Sequence, residues 1–317
     1  MMRLAVAGNQ WISSHLIERL VENGFIPELI INVGDQWTDR ISGYSDLGDI
    51  AKQINARLYR PTKYSLKSDV DQAALTAQPI DVLLVFGWQR LIPDWLINHV
   101  GQGVWGVHGG PEKPPRCRGR AVFNWALLLG YKRFYMYLFQ ITPGIDEGDI
   151  VDLREYQITC DDDILSLYHK NCVVSTSMFL DNLPHILAGE TKGNPQAIEG
   201  ATYLPKRDPE DGGIAWNQKA RRISNLIRAV APPYPGAFTE LDGKVIVIER
   251  GHVFDEKLEF SGEPGEIIET FPNGDFLVHA ADTAIYVRKW RASEKIKFHR
   301  GDRFTMACGR QQIDPKV

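Results

Sequence analysis

The chain has 317 residues, of which 44% are hydrophobic and 24% are charged, and its formal net charge is −4. This length predicts about two globular domains, and the balanced composition excludes fibrous and intrinsically disordered classes. Proteins whose main partner is a nucleic acid usually present a basic face. The 36 basic residues do not exceed the 40 acidic ones, so the composition argues against tRNA or DNA as the main partner.

Apolar strands alternate with helical patterns over the first two hundred residues. The predicted strands are Arg3–Ala7, Glu28–Val33, Val82–Phe86, Val104–Val107 and Phe134–Phe139. The predicted helices are Ile12–Val21, which Asn23-Gly24 ends, Leu47–Asn55 with Asp46 as its cap, Phe123–Leu129 and Ile164–Leu187. This alternation predicts an α/β fold with a Rossmann-like, doubly wound parallel sheet.

The pattern changes after a stretch rich in glycine, proline and polar residues, 189–213, which is typical of a linker. A helix is predicted at Ala220–Ala229. Short strands then follow at Ala237–Leu241, Val245–Glu249, Gly265–Glu269, Phe276–Ala280 and Ile285–Lys289. Their spacing predicts a small antiparallel, OB-like β-barrel. We therefore expect one domain at 1–205 and a second at 206–317.

Cysteine spacing and the N-terminal segment bear on cellular location. Cys117, Cys160, Cys172 and Cys308 are widely spaced and match no metal-binding or redox pattern, which predicts reduced thiols and no metal. The apolar run near the N-terminus is too short to span a membrane and has no cleavage pattern. These features predict a cytoplasmic protein that does not act at a membrane.

Ligands of doubly wound sheets bind outside the carboxyl ends of the strands. Three predicted loops lie there: Gly8–Trp11, Phe86–Leu91 and the loop that begins at His108. The first lacks the G-x-G-x-x-G fingerprint, so a dinucleotide site has no support. A glycine at 87, between two aromatic residues, permits close approach of a flat ligand, although simple core packing explains it equally well.

His108 and Asp146 are the candidate proton-handling residues. Histidine titrates near neutral pH and therefore suits proton transfer. A carboxylate in the GIDEGD turn can orient an imidazole or accept a proton. A lone loop histidine is more often structural, however, and acidic residues between glycines are common in ordinary turns. Three nearby arginines, Arg116, Arg118 and Arg120, can clamp an anion or form a solvated basic loop.

Four stretches together resemble the folate-dependent formyltransferase family. They are FGWQRLIP from Phe86, VHGGPEKPPRCRGRAVFNWALLLG from Val107, GIDEGDIV from Gly144, and YLPKRDPEDGGIAW followed by LIRAVAPPYPGAFT in the second half. Their order and spacing match over nearly the whole chain. The family includes methionyl-tRNA, amino-sugar and hydroxyornithine formyltransferases. The resemblance implies transfer of a formyl group from 10-formyltetrahydrofolate to an amine, with no metal.

The resemblance also implies roles for individual residues. His108 and Asp146 match the catalytic histidine and aspartate, and Gly106 stands where the family usually has an asparagine that stabilises the oxyanion. The implied cofactor-binding residues are Phe86, Gly87, Trp88, Leu91, Ile92, Gly144 and Ile145. The implied substrate-binding residues are Asn9, Gln10, Arg116, Arg118 and Arg120. Loss of one oxyanion donor costs roughly 2.7–4 kcal/mol of transition-state stabilisation, so a ligand-binding protein with weak activity is an alternative.

Three acceptor classes compete. The favoured acceptor is a nucleotide-linked amino sugar of the dTDP- or UDP-4-amino-4,6-dideoxyhexose type, as in O-antigen and lipopolysaccharide biosynthesis, with RGRA as a pyrophosphate clamp. Methionyl-tRNA is disfavoured because the loop VGDQWTDRISGYSD is short and acidic where tRNA formyltransferases carry a basic insert. Hydroxyornithine remains open, as does assembly into a homodimer.

Overall fold

The structure is a computed structural model that describes residues 2–305. This part of the chain divides into two compact units. The first contains the residues up to 119 together with 134–156 and 169–203, and the second contains 120–133, 157–168 and the residues from 204 onward. Cys308 and the last part of the predicted second domain lie outside the described residues.

Strands of the first half of the chain build one large sheet. The strands are β1 (Leu4–Ala7), β2 (Leu29–Ile31), β3 (Arg57–Tyr59), β4 (Val82–Val85), β5 (Val104–Gly110), β6 (Arg118–Gly119), β7 (Arg133–Gln140) and β8 (Ile150–Gln157). All except β6 join the sheet, in the order β3-β2-β1-β4-β5-β7-β8. The five strands from β3 to β5 run parallel, and β7 is antiparallel to β5. The predicted α/β class is confirmed, with a mixed rather than wholly parallel sheet.

Helices connect these strands. They are α1 (Trp11–Glu22), α2 (Gly48–Gln53), α3 (Asp69–Thr76), α4 (Asp94–His99), α5 (Val122–Leu128) and α6 (Ile164–Leu187). The central strands β1 and β4 are buried along their whole length, as expected of parallel strands covered on both faces. No helix among residues 2–305 combines the length and apolar character needed to cross a bilayer.

Several local predictions need correction. β3, α3, α4 and β8 were not predicted; β8 is an edge strand with no fully buried residue, so its apolar pattern is weak. Asp46 accepts a hydrogen bond from the Gly48 N–H at 2.5 Å, but Leu47 occupies the N-cap position of α2. The strand predicted to end at Val107 continues to Gly110, so His108 lies within β5 and not in a loop.

The second unit contains α7 (Ala220–Ala229) and an antiparallel sheet. After the two-residue strand β9 (Tyr203–Leu204), which pairs with β6, the strands are β10 (Ala237–Leu241), β11 (Lys244–Val253), β12 (Ile267–Thr270), β13 (Phe276–His279) and β14 (Ala284–Ala292). β10 to β14 form a five-stranded sheet in the order β10-β11-β14-β13-β12. Two bridges, Glu240 with Thr305 and Glu266 with Arg303, join a single segment to both edges of this sheet. The sheet is thereby closed into the predicted small barrel.

The segment predicted as a linker is not a free connection. It contains β9 and a 3₁₀ helix at Pro209–Gly212, and Asn194 forms a bridge with Ile150 at the start of β8. The linker interpretation was therefore wrong for this part of the chain. Polar residues of this segment form hydrogen bonds with the Cys117–Arg118 segment and with the Asp146 turn. We call residues 193–203, all within the first unit, the strap.

Candidate functional site

The strand order reverses direction between β1 and β4, and such switch points are where open α/β sheets bind ligands. Ala7, Val85 and Gly106 lie in one row across β1, β4 and β5. Beyond this row, the Asn9 N–H donates to the Gly87 carbonyl at 3.1 Å. The carboxyl ends of the three strands therefore bring the predicted loop residues and His108 to one edge of the sheet.

His108 is held rigidly by the sheet. It pairs in register with Tyr137 on β7, and the two rings make an edge-to-face contact with centroids 5.6 Å apart. The next residue, Gly109, has no room for a side chain, because a β-carbon there would lie 2.5 Å from Met136 Sδ. The glycines after His108 thus mark a tightly packed strand that resembles a loop in sequence.

The imidazole of His108 faces two oxygen acceptors. Its Nδ1 lies 3.7 Å from Asp146 Oδ2, and its Nε2 lies 3.4 Å from the Cys117 carbonyl oxygen. The first distance exceeds a hydrogen bond but is within range of an ionic contact. A neutral imidazole can donate to only one of the two oxygens, whereas a doubly protonated ring can donate to both. Asp146 and the Cys117 carbonyl therefore place an acceptor oxygen near each ring nitrogen of His108.

Asp146 adopts an unusual backbone conformation. Its φ is +51°, a left-handed region that is uncommon for residues other than glycine. Such a conformation costs of order 1 kcal/mol and persists where surrounding groups enforce it. Here the Gly119 N–H donates to Asp146 Oδ2 at 3.2 Å, and Gln196 Nε2 donates to the carbonyls of Asp146 and Gly148 at 2.9 and 2.7 Å.

Tyr137 lies beneath the pair. It is 1% exposed, and its hydroxyl has no hydrogen-bond partner. Burial, together with the negative charge of Asp146, raises the pKa of Tyr137 well above its usual value. The phenol therefore keeps its proton and remains a neutral donor behind His108.

Gly106 leaves the site without a polar side chain at that position. A β-carbon at 106 would lie 2.7 Å from Ile141 Cδ1 and 3.8 Å from Phe139 Cε1. The Ile141 N–H donates to the Val104 carbonyl at 2.7 Å, so Ile141 continues the pairing of β7 with β5, and its side chain covers Gly106. The space beside Gly106 is therefore apolar.

The predicted cofactor residues fall into two groups. Phe86, Trp88 and Ile92 are buried, and Trp88 packs edge-on against Tyr64 at 5.0 Å. Leu91 and Ile145 are 52% and 45% exposed. Gly87 has a φ of +73°, which favours glycine, and Gly144 belongs to the Asp146 turn. Core packing thus accounts for the buried rings, while the exposed aliphatic side chains remain open to a ligand.

Asn9 and Gln10 organise the loops around the switch point. Asn9 is fully buried, and its Oδ1 accepts from the Val33 N–H at 2.8 Å and from Asn32 Nδ2 at 3.2 Å. Gln10 Nε2 donates to the Ser42 carbonyl at 2.7 Å. The Nδ2 of Asn9 is buried and has no hydrogen-bond partner among residues 2–305.

The three arginines have different surroundings. Arg116 is exposed and pairs with Glu112 at 2.9 Å. Arg118 is only 3% exposed and donates to Gln196 Oε1 at 2.9 Å and to the Tyr203 hydroxyl at 3.4 Å. Arg120 is exposed and belongs to the second unit. The anion clamp stays a prediction for all three arginines, of which Arg118 already donates to two neutral groups within the first unit.

Three residues near the pair carried no signal in the sequence: Tyr137, Ile141 and Gln196. Gln196 is 50 residues from Asp146 along the chain, and no motif links them. The register of β7 against β5 pairs Tyr137 with His108 and Phe139 with Gly106. No metal-binding group of three or more His, Cys, Asp or Glu residues occurs among residues 2–305.

Comparison with known proteins gives two family matches. The family model described as "Formyl transferase" matches residues 2–182, and the one described as "Formyl transferase, C-terminal domain" matches residues 206–304. Together they account for most of the chain.

Similar solved structures have low sequence identity, so their likeness shows the fold alone. HypX from Aquifex aeolicus, in complex with tetrahydrofolic acid, is 19% identical with a TM-score of 0.63; the match covers 93% of this chain and 45% of HypX, so this chain spans about half of that protein. The sugar 3N-formyltransferase WlaRD, with dTDP and 5-N-formyl-THF, is 17% identical with a TM-score of 0.66, covering 93% of this chain and 99% of that one. An N-formyltransferase from Helicobacter canadensis, in complex with folinic acid and dTDP-3-aminofucose, is 17% identical with a TM-score of 0.65, covering 91% and 99%.

Proposed function

Because this chain belongs to the formyltransferase family, we propose that it transfers a formyl group from 10-formyltetrahydrofolate to the amino group of a nucleotide-linked amino sugar. The dTDP- or UDP-4-amino-4,6-dideoxyhexose type is the first candidate for the acceptor. The observation that carries the proposal is the contact between His108 and Asp146 at the edge of the sheet, 3.7 Å apart.

His108 is the proton-handling residue of the proposed reaction. An amine attacks only as the free base, so a neighbouring group must take its proton. The neutral imidazole accepts that proton at one ring nitrogen, and Asp146 orients the ring and stabilises the resulting positive charge. Tyr137 restricts the ring from behind through its edge-to-face contact.

The residues present fit the folate cosubstrate. When bound, 10-formyltetrahydrofolate supplies the formyl carbon that the amine attacks. The exposed aliphatic side chains of Leu91 and Ile145 provide apolar cover for a flat ring. The buried indole N–H of Trp88 has no hydrogen-bond partner among residues 2–305, and a buried donor without a partner is costly. These groups, with Gly87 and Gly144, are the ones that would hold the cosubstrate.

Negative charge on the formyl oxygen has to be stabilised without an asparagine at 106. Gly106 offers no side-chain donor, and the adjoining space is filled by Ile141. We assign this role to His108 as well, because the imidazole that has taken the amine's proton is positively charged and stabilises the negative charge on the neighbouring formyl oxygen. When the bond between the formyl carbon and N10 of the folate breaks, the ring returns this proton to N10 and tetrahydrofolate leaves. His108 then serves both proton transfer and charge stabilisation. This predicts slower catalysis than in a site that has an asparagine as well as the histidine.

A nucleotide-linked amino sugar is favoured over the other acceptors by two observations. Two of the similar folds belong to enzymes crystallised with dTDP or dTDP-3-aminofucose. The net charge of −4 offers no general attraction for tRNA. Arg116 is an exposed cation near the site that can meet a diphosphate.

The proposal is tested with a panel of amines. The purified protein is mixed with 10-formyltetrahydrofolate and, separately, dTDP- and UDP-linked 4-amino and 3-amino sugars, hydroxyornithine or methionyl-tRNA, and the products are weighed by mass spectrometry. We expect an N-formyl product from a nucleotide sugar with the wild-type protein and none with His108→Ala. Formylation of only tRNA or hydroxyornithine would refute the sugar acceptor, and folate binding without any product would favour a binding protein.

A further inference from the structure

The strap fastens the turn that carries Asp146 to the loop whose Cys117 carbonyl faces His108. At one end Asn194 bridges to Ile150, just after the Asp146 turn. At the other end the Thr202 hydroxyl accepts the Cys117 N–H at 2.9 Å, and the Thr202 carbonyl accepts the Arg118 N–H at 2.9 Å. The strap therefore spans from the turn that holds Asp146 to the loop whose carbonyl faces His108.

Gln196 sits in the middle of the strap and uses both ends of its carboxamide. Its Nε2 donates to the carbonyls of Asp146 and Gly148, at 2.9 and 2.7 Å, and its Oε1 accepts from Arg118 at 2.9 Å. An arginine can only donate and a carbonyl can only accept. The three contacts thus determine which way the amide points, with both donors directed at the turn.

Arg118 explains why this orientation is stable. Its guanidinium is 3% exposed; the two terminal nitrogens donate to Gln196 Oε1 and to the Tyr203 hydroxyl, and the Nε has no hydrogen-bond partner among residues 2–305. A buried charge depends on the few hydrogen bonds that it makes, so the bond to Gln196 is costly to break. A neutral side chain in its place would let the Gln196 amide rotate, since the oxygen would then have no donor to face. The buried guanidinium of Arg118 therefore orients the Gln196 side chain.

We propose that Gln196, oriented by Arg118, is a positioning residue that holds Asp146 in its left-handed conformation and so keeps its carboxylate beside His108. The expected effect of Gln196 on catalysis rests on the proposed function, whereas its effect on the position of Asp146 does not. It names the strap, which neither family model covers, as part of the site.

Gln196→Glu is the most direct test. The variant keeps an acceptor for Arg118 but places a carboxylate oxygen against two carbonyls, so the turn is repelled instead of held. We expect kcat to fall at least tenfold, while KM for the folate cosubstrate changes less than threefold. Gln196→Met removes all three hydrogen bonds at similar length and should lower kcat comparably. Gln72→Glu, the same chemical change on the exposed side of α3, is the matched control and should behave as wild type.

A double-mutant cycle separates positioning from general damage. If Gln196 acts through Asp146, adding Gln196→Glu to Asp146→Asn should reduce kcat no further than Asp146→Asn alone. A full additional tenfold loss in that background would show that Gln196 acts elsewhere and would overturn the proposal. Wild-type kcat in both Gln196→Glu and Gln196→Met would also overturn it.

A spectroscopic measurement keeps the test independent of the acceptor. With ¹⁵N-labelled histidine, the ring nitrogen signals of His108 are identified by their absence in His108→Ala. We expect Gln196→Glu and Gln196→Met to shift these signals in the same direction as Asp146→Asn, and Gln72→Glu to leave them unchanged. Unshifted signals in both Gln196 variants would overturn the proposal even if no acceptor were known. An inactive wild type that shows the expected shifts would refute the proposed function alone.

Discussion

Ile141 lies directly over Gly106, so close that a β-carbon on the glycine would be 2.7 Å from Ile141 Cδ1. The glycine and the isoleucine therefore form a matched pair, since any side chain at 106 requires the isoleucine to move. The apolar contact at this point of the site therefore depends on both residues together.

Restoring an asparagine at 106 should succeed only when Ile141 is reduced as well. We expect Gly106→Asn alone to lower the free energy of unfolding by about 1–3 kcal/mol through overpacking. Combined with Ile141→Ala, it should recover part of that loss and raise kcat, by up to about 10²-fold if the amide reaches the oxyanion. Thermal melts and turnover of the single and double variants measure both effects. Ile141→Ala alone is the control; an increase in kcat of the same size there would exclude the amide as the cause.

Removal of either member of the catalytic pair should abolish most turnover. We expect His108→Ala and Asp146→Asn each to lower kcat by at least about 10²-fold, since general acid–base groups contribute on this scale. Stopped assays with the preferred amine measure the loss, and circular dichroism verifies the fold. Near-normal activity in either variant would remove that residue from the mechanism.

Arg116 and Arg118 should respond differently to the same substitution. Arg118→Met removes a guanidinium that is 3% exposed and leaves the part-buried Gln196 Oε1 without its donor, at a cost of about 1–3 kcal/mol in the free energy of unfolding. Arg116→Met breaks only an exposed ion pair with Glu112 and should change stability by less than about 1 kcal/mol. If Arg116 contacts a diphosphate, KM for the nucleotide sugar rises in that variant. Urea titrations measure the stability of the two variants, and steady-state kinetics measure KM. An equal loss of stability in Arg116→Met and Arg118→Met would contradict the argument that burial makes Arg118 the more important of the two for stability.

Asp71 should contribute to stability in a pH-dependent manner. Burial raises its pKa, but hydrogen bonds from Ser68, Thr62, Tyr59 and Lys63 outweigh burial and hold the pKa below its usual value. A depressed folded-state pKa adds stability above the unfolded-state pKa, and this stability is lost as the pH falls through the folded-state pKa. We expect Asp71→Asn to cost about 2 kcal/mol at pH 7 and to approach wild type in acid.

Urea unfolding of wild type and Asp71→Asn at neutral and acid pH measures this effect. Asp49→Asn is the control, because Asp49 is fully exposed and pairs only loosely with Lys52 at 3.5 Å. A stability difference that stayed constant down to the acid range would mean that the carboxylate charge of Asp71 is not responsible.

The large elements could be predicted because their patterns are long. α6 and α7 have the predicted bounds, Ile164–Leu187 and Ala220–Ala229, since an apolar repeat over several turns has few alternatives. β3 is three residues long and gives too short a pattern to distinguish from a loop. The glycines after His108 suggested a loop, although in the structure they permit close packing against β7.

The two candidate residues His108 and Asp146 could be selected from the sequence, but the residues that hold them in place could not. His108 and Asp146 stand in recognisable segments, and the structure places them together. Gln196 lies in a polar stretch that resembles any linker, and its role follows from hydrogen bonds made across the fold. Local sequence contains no information on which distant carbonyls a glutamine will meet, because that depends on tertiary packing.

The strap also bears on how this protein should be divided. The family match to the first domain ends at residue 182, whereas Gln196 and Thr202 lie beyond it. A fragment cut at 182 would retain His108, Asp146 and three of the four family-like stretches, yet lose the groups that tie the Asp146 turn to the loop at Cys117. Such a fragment would carry both residues of the pair without a preorganised site, so inactivity in it would say nothing about the chemistry of the intact chain.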